Sequence, residues 1–145
     1  MNYKIVKLQN YSGEECSIYT VLLEQEDQTL FRKFVDENNQ LFKKEIRDIV
    51  KQLQAIAHKT GARMQFFKTD EGIPGDGVCA LYDEEGKLRL YCIRYGKNLV
   101  ILGGGGEKKV RAWQDDPKLS AEAKRMIRIS SDITNRLREK EIRFG

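Results

Sequence analysis

Seven cations lie within residues 86–111, namely Lys87, Arg89, Arg94, Lys97, Lys108, Lys109 and Arg111, against Glu107 alone, a balance of +6. A local field of that sign attracts polyanions. Arg89 and Tyr91 stand two apart in an alternating run, so both project from one face of a strand. The chain then turns at Gly96 and Lys97, runs back through 98–103 and delivers Lys108 and Lys109 from the far end of that strand. Guanidinium, ammonium and phenol groups converging on one sheet face suit phosphodiester cleavage by a ribose 2′-OH. The pentacoordinate transition state gains charge on its non-bridging oxygens, and fixed Arg and Lys donors stabilise it. Proton transfer would fall to Tyr, Lys or Glu107 with a shifted pKa, because tyrosine at about 10 and lysine at about 10.4 are poor bases at neutral pH. The plainer alternatives are a cross-strand packing role for Tyr91, a surface charge at Arg89 and a solvated lysine face.

Other chemistries find less in the sequence. His58 is the single histidine and ends an amphipathic helix, so a histidine-based metal site is not expected and no cofactor is called for. Cys16, Cys79 and Cys92 are odd in number and widely spaced, which suits buried reduced thiols better than a bridge framework. The run Gly103-Gly104-Gly105-Gly106-Glu107-Lys108-Lys109 lacks the Gly-Lys-Ser/Thr of a phosphate loop. It leaves two readings, an anion nest of exposed N–H groups or a strand-to-loop exit of unusual backbone geometry.

The elements that must position these groups are legible from patterning. Residues 3–8 and 16–23 alternate around a polar stretch containing Gly13 and read as a β-hairpin. Asp27 is the expected N-cap of a short helix bearing Leu30, Phe31, Phe34 and Val35, which stops at Asn38-Asn39. Phe42, Ile46, Ile49, Val50, Leu53 and Ile56 form one apolar stripe of a second helix, closed after Lys59 by Gly61 as a left-handed cap. A strand is possible at 63–68, and 69–77 is dense in breakers. Three runs, 78–82, 88–95 and 98–103, joined by short turns, read as an antiparallel meander. A final helix, expected to be capped by Ser120, carries Ala123, Met126, Ile127, Ile133 and Leu137 inside and Lys124, Arg125, Arg128, Arg136 and Arg138 outside. The expected fold is therefore α+β, a helix hairpin over residues 27–60 packed on one face of a twisted antiparallel sheet, with an N-terminal β-hairpin and a C-terminal helix.

With 145 residues, 40% apolar and 33% charged, the chain reads as one domain spanning 1–145. No apolar run approaches the length of a membrane span, and the N-terminus has no signal-like apolar region, so a cytoplasmic protein without membrane partners is expected.

The stretch Leu88-Arg89-Leu90-Tyr91, a turn, Leu99-Val100-Ile101-Leu102, then Lys108-Lys109 and a helix near Ser120 resembles the RelE/ParE/HigB superfamily of bacterial toxins from type II toxin–antitoxin pairs. In element order the resemblance covers about residues 27–140. It implies a toxin that binds the ribosome, cleaves mRNA and is neutralised by a cognate antitoxin protein. By the resemblance Arg89 matches the phosphate-stabilising arginine, and Lys108 and Lys109 match the basic pair on the RNA backbone. Tyr91 would stack on a base or move a proton, with Lys87, Lys97 and Arg111 as further nucleic-acid contacts. The chain has Gly106 where the family often has an aromatic, and no lysine in 78–81 where many members carry one. One branch of the superfamily poisons DNA gyrase without cleaving nucleic acid, so a non-catalytic toxin or a basic binding module is the alternative.

Overall fold

Tyr3–Lys7 (β1) and Ser17–Leu23 (β2) pair antiparallel, with Tyr3 opposite Leu23 and Lys7 opposite Tyr19. Ser12 closes the loop between them, because its Oγ accepts the Ile18 N–H at 2.9 Å. The computed structural model describes residues 2–69, 76–109 and 115–139. The first helix, Leu30–Asn38 (α1), is capped not by Asp27 but by Thr29, whose Oγ1 accepts the Arg32 N–H at 3.2 Å. Thr20 ties the helix to the sheet: its buried hydroxyl donates to Leu102 O at 2.8 Å and accepts the Phe31 N–H at 3.2 Å.

The second helix, Lys43–Ala55 (α2), ends in a widened π-type turn over Ile56–Thr60. Gly61 has φ 73° but ψ 179°, so it reverses the chain without adopting the left-handed helical cap expected of it. The wide turn leaves Ala57 O free to accept the N–H groups of Glu15 and Cys16 at 2.9 and 3.2 Å. Of the possible strand at 63–68 only Phe67–Lys68 (β3) is extended, after a 3-10 turn.

Val78–Leu81 (β4), Leu88–Tyr95 (β5) and Leu99–Glu107 (β6) form the expected meander. The sheet has six strands in the order β1-β2-β6-β5-β4-β3. It is mixed, not antiparallel throughout, because β2 and β6 run parallel from the pair Ser17–Leu99 to Thr20–Leu102. A period-2 pattern reports which face a side chain takes and is silent on the direction of the neighbouring strand, which the α1–α2 crossover decides.

The apolar faces of α1 and α2 (Phe31, Phe34, Ile46, Ile49, Leu53, Ile56) meet Ile18, Leu81, Leu88, Leu90, Cys92 and Leu102 on one side of the sheet. The last helix, Pro117–Arg138 (α3), covers the other side, packing Leu119, Ala123, Met126, Ile129 and Ile133 on Val78, Ala80, Tyr91, Ile93 and Ile101. Its N-cap is Asp116, not Ser120. The Asp116 carboxylate accepts from Lys118 N and Leu119 N, and Pro117 takes the first helical position, where its missing N–H costs nothing.

The four glycines are neither nest nor loop exit. They extend β6, and the register slips there: Leu90 pairs Gly105 while Cys92 pairs Leu102, so Gly103 and Gly104 together oppose Tyr91 in a β-bulge. A Cβ on Gly103 would collide with Met126, one on Gly104 with the Glu122 carboxylate, and one on Gly105 with the main chain of Arg89. Glycine is what lets α3 lie this close to the strand.

Candidate nucleic-acid interface

The turn between β4 and β5 is built from α2. The Glu45 carboxylate accepts the N–H of Lys87 and of Leu88, each at 2.8 Å, and Gly86 packs against the same carboxylate. Asp83 O accepts the Gly86 N–H at 2.8 Å, closing the turn. Beyond it Arg89 emerges half-buried opposite Gly106. Its Nη1 donates to Leu88 O at 3.0 Å, and its shielded Nε has no hydrogen-bond partner among the described residues.

The Arg89 guanidinium lies 5.3 Å from the centroid of the Tyr82 ring, and Lys68 Nζ lies 4.6 Å from the same ring. One half-buried aromatic thus holds two cations by its π face. Lys108 N donates to Lys87 O at 2.7 Å, which brings Lys87 and Lys108 to the same end of the sheet, with Lys109 exposed beside them. Lys118 reaches over Gly106 and pairs with Glu37 at 3.3 Å.

The carboxylates of the region sort toward α2. Asp83 faces Asp48, which pairs with Lys44 at 2.9 Å. Burial and then the neighbouring Asp48 push the Asp83 carboxyl up, while the Lys44 hydrogen bond pulls Asp48 down. The exception is Glu107, which ends β6 opposite Leu88, and the corner itself contributes two cations, Lys68 and Arg89.

Not every residue singled out from the sequence belongs to this corner. Tyr91 is fully buried, its ring under α3 and against the glycine bulge, so stacking on a base or moving a substrate proton is closed to it in this fold. Its packing on its own chain, the plainer of the two readings, is what the structure contains. Lys97 sits in the β5–β6 turn, at the other end of β5 from Arg89, about 25 Å away at the usual strand rise. Arg111 lies outside the described residues. Lys68 and Tyr82 were missed. Tyr82 shares the alternation of Val78 and Ala80, which would have placed it on the Arg89 face, but Lys68 reaches it only through the β3–β4 pairing of Phe67 with Leu81.

Chemically, the corner offers fixed cationic donors and a π surface, able to hold a phosphate and a base beside it and to stabilise charge on phosphate oxygens. The three cysteines are free and buried, and burial holds the Cys16 thiol up at about 11 and that of Cys92 well above its usual range. Among the described residues no cluster of three or more His, Cys, Asp or Glu could hold a metal ion, and no helix is long and apolar enough to cross a membrane. Comparison with known proteins gives no match among family models, curated proteins or solved structures.

Proposed function

We propose that the chain is a toxin of the RelE/ParE/HigB kind, which engages mRNA at the ribosome through the Lys68–Tyr82–Arg89 corner and arrests translation by cleaving it. The observation that carries this reading is the Arg89 guanidinium, held half-buried over Tyr82 with its Nε uncommitted, at the mouth of a lysine-flanked sheet end. The succession of two strands, two helices, a two-residue strand, a three-stranded meander and a basic helix supports it as well. In this reading Arg89 stabilises the phosphate charge that develops during cleavage, Tyr82 presents a π surface to a base, and Lys68, Lys87, Lys108 and Lys109 neutralise the backbone. A cognate antitoxin is the second partner.

A second reading, RNA binding without cleavage, is favoured by one observation. Tyr91 is fully buried, so the phenol that cleavage would use for proton transfer is out of a substrate's reach. Inducible expression in a bacterial host, with growth followed and mRNA 5′ ends mapped, separates the two. Arrest with new ends, lost in Arg89→Ala, supports the nuclease. Arrest without new ends supports binding alone, and normal growth under verified soluble expression overturns both.

A further inference from the structure

One element, α3, carries a net charge equal to that of the whole chain. Over Pro117–Arg138 the cations Lys118, Lys124, Arg125, Arg128, Arg136 and Arg138 face only Glu122 and Asp132, a balance of +4. The whole chain carries 26 Lys and Arg against 22 Asp and Glu, also +4, so everything outside α3 sums to zero.

Within the helix the pairing is one-sided. Arg125 binds Glu122 at 2.8 Å, Arg136 binds Asp132 at 3.1 Å, and Lys118 binds Glu37 at 3.3 Å, all along one flank. The outermost stripe, which follows the helical repeat through Ala121, Lys124, Arg128, Ser131, Asn135 and Arg138, is exposed throughout, and its three cations make no ion pair among the described residues. The side chains between them are small or polar.

We infer that the solvent face of α3 is a docking surface for the phosphodiester backbone of a double-stranded nucleic acid. The composition of the stripe selects that occupant by charge complementarity and by what it lacks. A stable protein partner needs large apolar or aromatic anchors at the centre of its interface, and this stripe has none. Leu137, the one large apolar residue of α3 that is exposed, sits half a helical turn away. A lipid surface needs an apolar face to insert, which α3 has already spent on the sheet. A single strand is held by aromatic stacking, and the stripe holds no aromatic. Cations on a helix about 33 Å long, with small residues between them, match a duplex backbone that they touch without entering.

The surface is separate from the Arg89 corner and does not depend on the toxin reading, so each can fail alone. The test is fluorescence anisotropy with a labelled mixed-sequence RNA duplex, the same duplex as DNA, and the single-stranded RNA. Three phosphate contacts predict an affinity that falls about 40-fold between about 50 and 200 mM salt. The variant Lys124→Gln, Arg128→Gln, Arg138→Gln is expected to flatten the log–log salt slope by nearly three units while keeping the circular dichroism of the parent. Lys51→Gln, which removes an exposed cation of α2 given no part in either surface, is expected to bind duplex unchanged. A larger loss of duplex than of single-strand affinity in the triple variant supports the inference, and the duplex that loses more identifies the nucleic acid. It is overturned if the triple variant keeps the parental duplex affinity and slope, if it loses affinity for the single strand as steeply as for the duplexes, if Lys51→Gln weakens duplex binding as much, or if a polyglutamate peptide binds the same face as tightly.

Discussion

Arg89 and Tyr91 stand two residues apart on one face of β5, yet the structure gives them opposite fates. Arg89 lies next to the turn, opposite Gly106, with its guanidinium over Tyr82, whereas Tyr91 lies under the helix and is fully enclosed. Replacing Arg89 with alanine should cost roughly 100- to 1,000-fold in the rate of mRNA cleavage if it stabilises phosphate charge there. Thermal unfolding of that variant should stay close to the parent, since a half-exposed arginine adds little to stability. Arg89→Lys keeps the charge but loses the planar fork, and an intermediate rate is expected in the same end-mapping assay. Tyr91→Ala should behave in the reverse way. Truncating a buried aromatic leaves a cavity worth about 3–5 kcal/mol, so urea denaturation should show a large loss whether or not the protein is active.

At the scale of elements, the site depends on α2 gripping the turn that carries Arg89. Glu45 satisfies two adjacent N–H groups through one carboxylate, a short-range device that holds β5 in register with the helix layer. Glu45→Ala removes both acceptors, and amide exchange at Lys87 and Leu88 should quicken well before that of central β5. Exchange at those two amides that matches the parent would show the turn to be held by other contacts. The glycine run works on the other layer. Its bulge opposite Tyr91 makes room for Met126 and Glu122, so the spacing between β6 and α3 rests on the missing side chains of Gly103, Gly104 and Gly106, while Gly105 admits the main chain of Arg89. Nothing in a Gly-Gly-Gly-Gly sequence separates a packed strand from a loose exit, because the discriminating fact is the helix that begins only at Pro117.

Across the whole molecule, shielded hydroxyl and thiol groups, Tyr95, Cys16 and Cys92 among them, link stability to alkaline pH. Burial pushes Tyr95 up to about 12 and Cys16 up to about 11 from their ordinary 10.0 and 9.0. Each stays protonated in the folded state while its unfolded counterpart ionises. Stability is therefore full below about pH 9 and falls as pH rises from there toward 12, because the unfolded chain binds fewer protons over that window. Chemical denaturation between pH 8 and 11, at about half-unit steps, should show that decline, and Tyr95→Phe with Cys16→Ala should lessen it, with Cys92 supplying part of what remains. The three layers were only partly legible beforehand. The α2 stripe, the meander and the N-terminal hairpin follow from periods of 3.6 and 2 that local side-chain order imposes, so Phe42, Ile46, Ile49, Leu53 and Ile56 sufficed to announce a buried helix. The caps at Thr29 and Asp116 were each mistaken by two to four residues, since several nearby polar side chains can cap and only backbone geometry chooses among them.

What the amino-acid order determined by itself was local: which residues alternate, which repeat at helical spacing, and where cations outnumber acids. What only the tertiary structure decided was non-local. It made β2 and β6 run parallel, brought Lys68 to Tyr82, carried Lys97 to the far end of β5, and laid α3 over the face that holds Tyr91. The physical reason is that periodicity encodes which side of an element is apolar, while the identity of whatever covers that side depends on contacts between segments distant in the chain, which no window of neighbouring residues contains.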